Sequence, residues 1–155
     1  MKPVEWILFD VGGVLLDWKS SAASLALQLG VSADDLLSAL FTEAPAMSTG
    51  KISAQEGWKK ILDALGSNAD PYKMVLQWRA KQFWFDDSLA LVDQLSDAGY
   101  RLALFSNSWL GLSDSSQREG FPPQINKFGV IFDSSKDGLV KPDVSYYDLI
   151  QSELG

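Results

Sequence analysis

The chain has 155 residues, 46% apolar and 21% charged, a balance that suits one compact domain with a buried core and excludes a disordered tail or a fibre. It holds no histidine and no cysteine, which excludes disulfides, thiolate zinc sites, cysteine nucleophiles, Ser-His-Asp triads and phosphohistidine chemistry. Thirteen basic against 20 acidic residues give a formal charge of −7, so neither nucleic acid nor an anionic membrane is expected as a partner, and catalysis would run on carboxylates, hydroxyls, amines and a hard metal.

In chain order, residues 4–9 form a nearly unbroken β-favouring run that stops at Asp10 and turns at Gly12-Gly13. This opening is not a cleavable secretion signal, and no stretch approaches the roughly 18 apolar residues of a membrane span, so a soluble cytoplasmic protein is expected. About ninety helical residues follow. Ser32-Ala33-Asp34-Asp35 opens a helix predicted through about Phe41, and Ser53-Ala54-Gln55-Glu56 opens another. The latter places Trp58, Ile61, Leu62 and Leu65 on one face and stops at Gly66. A helix is predicted over 71–83, and a further one starts at Asp87-Ser88 and ends at Gly99. The acid pairs at 34–35 and 86–87 read as first-turn residues that complement the helix dipole.

Residues 101–105 form a second strand, closed by Ser106-Asn107-Ser108, and 129–132 a third, stopping at Asp133. Residues 110–128, with Pro122-Pro123, are a helix or a loop, and 143–154 are a final amphipathic helix. Short apolar strands joined by helices predict an α/β fold: a Rossmann-like, doubly wound parallel sheet from residues 1–17 and 86–155, with an inserted α-helical subdomain over 18–85.

Ligands of open parallel sheets bind at the carboxyl ends of the strands. Asp10, Ser106 and Asn107 sit at such ends, and Lys141, soon after the third strand, can reach the same crevice. An acid, a hydroxyl and an ammonium without histidine suit phosphoryl transfer: the acid attacks phosphorus while the other two hold the phosphate oxygens. Trp18 and Trp109, each just after a strand-end segment, are candidates to line the pocket. Each of these residues also has a plain structural use, as a turn acid, a helix cap, a surface lysine or packing.

The segments Phe9-Asp10-Val11-Gly12-Gly13-Val14-Leu15-Leu16-Asp17, Leu104-Phe105-Ser106-Asn107-Ser108 and Gly138-Leu139-Val140-Lys141-Pro142-Asp143 resemble, in order and spacing, three motifs of the haloacid dehalogenase-like (HAD) hydrolases. Residues 49–58 are similar to the helical cap of the branch that includes phosphatases of the glucose-1-phosphatase type. The resemblance covers essentially the whole chain. It implies a Mg2+-dependent phosphatase in which Asp10 is the nucleophile, Ser106 binds phosphate, Lys141 neutralises charge, and Asp10 with the Gly12 carbonyl holds the metal. The substrate it implies is a small phosphomonoester such as a sugar phosphate.

Two positions depart from the family pattern. Gly12 stands where most of these phosphatases carry a second aspartate as general acid and base, and Asp17 is the nearest other acid. Gly155 lies 155 minus 141, or 14, residues beyond Lys141, so the fourth motif and its strand are expected to be missing from this chain. The edge of the first strand would then be exposed and open to self-association. These departures keep two further readings in play: a degenerate HAD domain with a binding or interaction role only, and a 2-haloacid dehalogenase, which needs no metal.

Overall fold

The computed structural model describes residues 4–114, 118 and 120–155. Three parallel strands form one sheet in the order β1 (Trp6–Phe9), β2 (Arg101–Ser106), β3 (Val130–Asp133). The register pairs Phe9 with Leu104 and Ser106 with Asp133, so the three strands end near one level. Successive residues of β2 point to opposite faces, and both faces are covered. Leu102 and Leu104 join a large cluster that runs into the helical region, while Ala103 and Phe105 pack with Phe132, Tyr146 and Ile150. That two-sided burial explains the unbroken apolar run of the central strand.

Between β1 and β2 lie α1 (Trp18–Leu29), α2 (Ala33–Ser48), α3 (Ala54–Ala64), α4 (Pro71–Ala80) and α5 (Asp86–Asp97). Ser53 caps α3 as its sequence requires: its hydroxyl accepts from Glu56 N at 3.2 Å, and the Glu56 carboxylate accepts from Ser53 N at 2.8 Å. Ser32 caps α2, and the acid pairs at 34–35 and 86–87 occupy the first turns of α2 and α5. Trp58, Ile61 and Leu62 are fully buried on one face of α3.

Two helix ends differ from expectation. The second helix does not stop near Phe41 but passes through Pro45 to Ser48. Proline there removes only the bond to the carbonyl of Phe41, on an exposed stretch where solvent can serve that carbonyl. The helix expected over 71–83 stops at Ala80, because the residues after it are drawn into another pairing. Asp17 N donates to Phe83 O at 2.7 Å and Phe85 N to Leu15 O at 2.9 Å, with Leu16 and Trp84 bridged antiparallel. The chain therefore leaves the sheet layer and returns to it along one short ladder.

After β2 the described residues include a 3-10 turn, Pro123–Lys127, where a helix or loop was expected, and β3 runs directly into a single turn, α6 (Ser134–Asp137). The final helix, α7 (Val144–Leu154), covers the second face of the sheet. Tyr146 on α7 is fully buried and its hydroxyl donates to Asp137 at 2.7 Å. Burial, then the Asp137 carboxylate, raises its pKa far above the ordinary tyrosine value, so it stays a donor. Gly50 ties the end of α2 to α6: it has φ +68°, and a Cβ would lie 2.4 Å from the Ser135 carbonyl oxygen. No single helix among the described residues is long and apolar enough to cross a membrane. β1 is an edge strand of the described sheet, with Val4 and Leu8 exposed.

Candidate active site

Each candidate residue is placed by a strand end or by the segment that follows one. Asp10 follows β1 at the start of a tight turn closed by Leu16 N and Gly13 N, which donate to Val11 O and Leu16 O at 2.9 and 2.8 Å. Gly13 supplies the left-handed conformation this turn needs, with φ +79°. The Asp10 carboxylate accepts from Val11 N at 2.7 Å through Oδ1 and pairs with Lys141 Nζ at 2.8 Å through Oδ2. It remains 41% exposed.

Lys141 arrives from the segment between α6 and α7, and three contacts hold it. Its ammonium also donates to Phe105 O at 2.8 Å and lies 4.9 Å from the centre of the Phe105 ring. Asn107 fixes its backbone from both sides, Nδ2 donating to Lys141 O at 2.9 Å and Oδ1 accepting from Lys141 N at 2.8 Å. The side chain expected to bind substrate is thus a clamp that delivers the lysine. Ser108, which the sequence reading passed over, is buried beside it: its N–H donates to Ser134 Oγ at 3.0 Å and its hydroxyl accepts from Leu110 N at 3.0 Å.

A cavity of about 200 Å³ stands against these strand ends. Gly12, Trp18, Ser106, Asn107 and Trp109 all line it, as the sequence suggested for the tryptophans. Asp10 and Lys141 are not among the lining residues and flank it through their neighbours Val11 and Asn107, which are. The lining also takes Leu40, Phe41, Ala44 and Ser48 from α2 and Trp78 from α4. The first four are a stripe at helical spacing, and the expected end of α2 near Phe41 had cut it in two. Trp109 stacks on Trp78 at 5.5 Å, and Trp18 meets Phe41 edge-on at 5.4 Å.

Two other acids near the site are already committed. Asp17 caps α1, accepting from Lys19 N, Ser20 N and Ser20 Oγ. The bonds from Ser20 lower its pKa, so it is an ionised cap and a poor proton donor. Asp133 ends β3, is fully buried, and accepts from the N–H and hydroxyl of both Ser113 and Ser135. Among the described residues no three Asp, Glu, His or Cys side chains converge.

The magnesium ion implied by the resemblance would find the Asp10 carboxylate and the Gly12 carbonyl, which accepts none of the backbone bonds that close the turn. Mg2+ demands near-octahedral oxygen coordination. Two protein oxygens among the described residues, one of them on a carboxylate already shared with Lys141, do not by themselves fit a resident Mg2+ site.

No protein-family profile and no curated protein sequence matches the chain. Solved structures match it over nearly its full length. A HAD-family enzyme from Bacteroides thetaiotaomicron aligns over 99% of this chain and 80% of its own, with TM-score 0.68 and 17% identity. The chain has the HAD fold. A predicted HAD-like hydrolase from Porphyromonas gingivalis shares that fold over 97% of this chain and 76% of its own, with TM-score 0.67 and 21% identity. So does the L-2-haloacid dehalogenase of Xanthobacter autotrophicus, solved with chloropropionic acid covalently bound, over 99% and 66%, with TM-score 0.69 and 13% identity. The Bacteroides protein has also been solved with magnesium and inorganic phosphate. Within the HAD fold the strand-end cavity of this chain lies where an open parallel sheet binds its ligands.

Proposed function

We propose that the chain is a HAD-type hydrolase that cleaves small phosphomonoesters through an aspartyl-phosphate on Asp10. The observation that carries this reading is the Asp10–Lys141 contact at 2.8 Å, secured by the two Asn107 bonds, beside a cavity lined by Ser106. A carboxylate oxygen of Asp10 attacks phosphorus and the P–O bond to the alcohol breaks. The alcohol takes its proton from solvent, since Gly12 carries none and Asp17 is engaged. Water then attacks phosphorus, and inorganic phosphate leaves as Asp10 is freed. Lys141 stabilises the charge that builds on the phosphoryl oxygens, and Ser106 offers a hydroxyl at the floor.

A second reading has a specific observation in its favour. The cavity lining is mostly apolar and includes no carboxylate among the described residues, an arrangement that also suits attack of Asp10 on the carbon of a small halogenated acid, with halide as leaving group. Parallel assays of phosphate release from phosphomonoesters and halide release from 2-haloacids separate the two. The proposal expects phosphate and not halide, abolished in Asp10→Asn. Halide release alone moves the assignment to the dehalogenase. Neither product from a folded chain that still binds phosphonates supports the degenerate, binding-only reading.

A further inference from the structure

The floor and the walls of the cavity differ in chemistry. The floor carries Ser106, Asn107 and Ser108, with Asp10 and Lys141 alongside. The helical walls are Trp18, Leu40, Phe41, Ala44, Ser48 and Trp78, a set with one hydroxyl, no charge and no amide. A sugar held there would bury several hydroxyls against surfaces whose polar groups are only the Ser48 hydroxyl and the indole N–H of Trp18 and Trp78, at about 1–3 kcal/mol for each bond left unmade. An apolar group loses no such bonds, and it gains from leaving water and from contact with the aromatic faces.

Size points the same way. A dry cavity of roughly 150 Å³ accepts benzene, so about 200 Å³ accommodates one ring on a short stem. Phe41 stands at the mouth, 55% exposed yet set edge-on against Trp18, which places an aromatic surface where a bound group would cover it.

We infer that the substrate's non-reacting part is a small apolar group, an aryl ring or an alkyl chain of similar volume, and not the sugar that the motif resemblance implied. The inference rests on the Asp10 hydrolase reading and names its substrate class. It is tested on the intact chain by quenching of tryptophan fluorescence, since Trp18, Trp78 and Trp109 line the cavity. The probes are phenylphosphonate, methylphosphonate and a hexose phosphate, and phosphate release from phenyl phosphate and the hexose phosphate is followed in parallel.

Phenylphosphonate is expected to bind about 10-fold more tightly than either other probe. Phe41→Ser, at an exposed position where folding is not at stake, is expected to weaken phenylphosphonate by about 3–10-fold and leave methylphosphonate unchanged. Equal binding of the phenyl and methyl compounds, tighter binding or faster turnover of the hexose phosphate, no phosphonate binding at all, or an indifferent Phe41→Ser variant would each overturn it. Tight phenylphosphonate binding without turnover of any phosphomonoester sinks the hydrolase reading and sustains the apolar pocket.

Discussion

Asp10 and Asp133 close two parallel strands on either side of β2, and the fold puts them to opposite uses. An ionised carboxylate has about four lone-pair positions. Asp133 receives four donors, two each from Ser113 and Ser135, and is fully buried. Asp10 receives two, from Val11 N and Lys141, and keeps 41% of its side chain exposed. A strand-end acid is therefore reactive according to the lone pairs its neighbours leave it and to its access to the cavity. Its four donors and its burial, and not its position in the sheet, make Asp133 a brace for the segment after β2.

The sharpest way to break this comparison is to remove each carboxylate in turn. Asp10→Asn should cut turnover by roughly 10³-fold or more while shifting unfolding free energy by less than about 1 kcal/mol, the range of a partly exposed ion pair. Asp133→Ala should do the reverse in kind: it leaves four partly buried donors without their acceptor and should destabilise the chain by about 3 kcal/mol in urea unfolding. If Asp133→Ala unfolds like the parent, the buried acid is not a brace and the contrast fails.

Gly12→Asp sharpens the comparison from the catalytic side. A Cβ at Gly12 would sit 3.6 Å from Trp18 Cδ1, an ordinary contact, so the turn can accept the acid that most of the family's phosphatases carry. It should raise turnover of alkyl phosphates, whose leaving groups need a proton, by about 100-fold and aryl phosphates much less, measured as kcat for each. Asn107→Ala, which releases the Lys141 backbone, should lower kcat by about 10-fold with a smaller change in KM, as expected for a positioning residue.

The smallest effect is the pH dependence of stability. Hydrogen bonds from Ser53 lower the pKa of Glu56 below its ordinary 4.5, and those from Lys127 and Gln124 lower that of Asp93 below 3.8. A lowered folded-state pKa gives stability that is complete above the unfolded value and is lost as pH falls through the folded one. Lys127, raised above 10.5 mainly by its bond to Asp93, contributes below that value and stops as pH climbs through its folded pKa. Urea midpoints should therefore be level from about pH 5 to 10 and decline on both sides, without the step near pH 6.5 that a histidine would add.

Much of this was legible in the sequence for local reasons. The strands showed as apolar runs stopped by Asp10, Ser106 and Asp133, the α3 cap as Ser53 with Glu56, and the strand-end quartet Asp10, Ser106, Asn107 and Lys141 as residues that a parallel sheet must bring to one edge. What was hidden depends on chain paths that periodicity does not encode. Asp133 looked like any strand-ending acid because its donors Ser113 and Ser135 come from opposite directions along the chain. The helix opened by Ser32 was expected to end near Phe41, which concealed Ala44 and Ser48 as cavity wall. Asn107 read as a substrate ligand, and only the fold shows that both ends of its amide are occupied by Lys141.

Acid-quenched single-turnover mass spectrometry shows whether Asp10 is the nucleophile. The chain is mixed with phenyl phosphate, stopped in acid, digested, and the peptide carrying Asp10 is weighed. One phosphoryl group is expected on Asp10, absent from Asp10→Asn. A phosphoryl group on any other residue, or full turnover by Asp10→Asn, would contradict it.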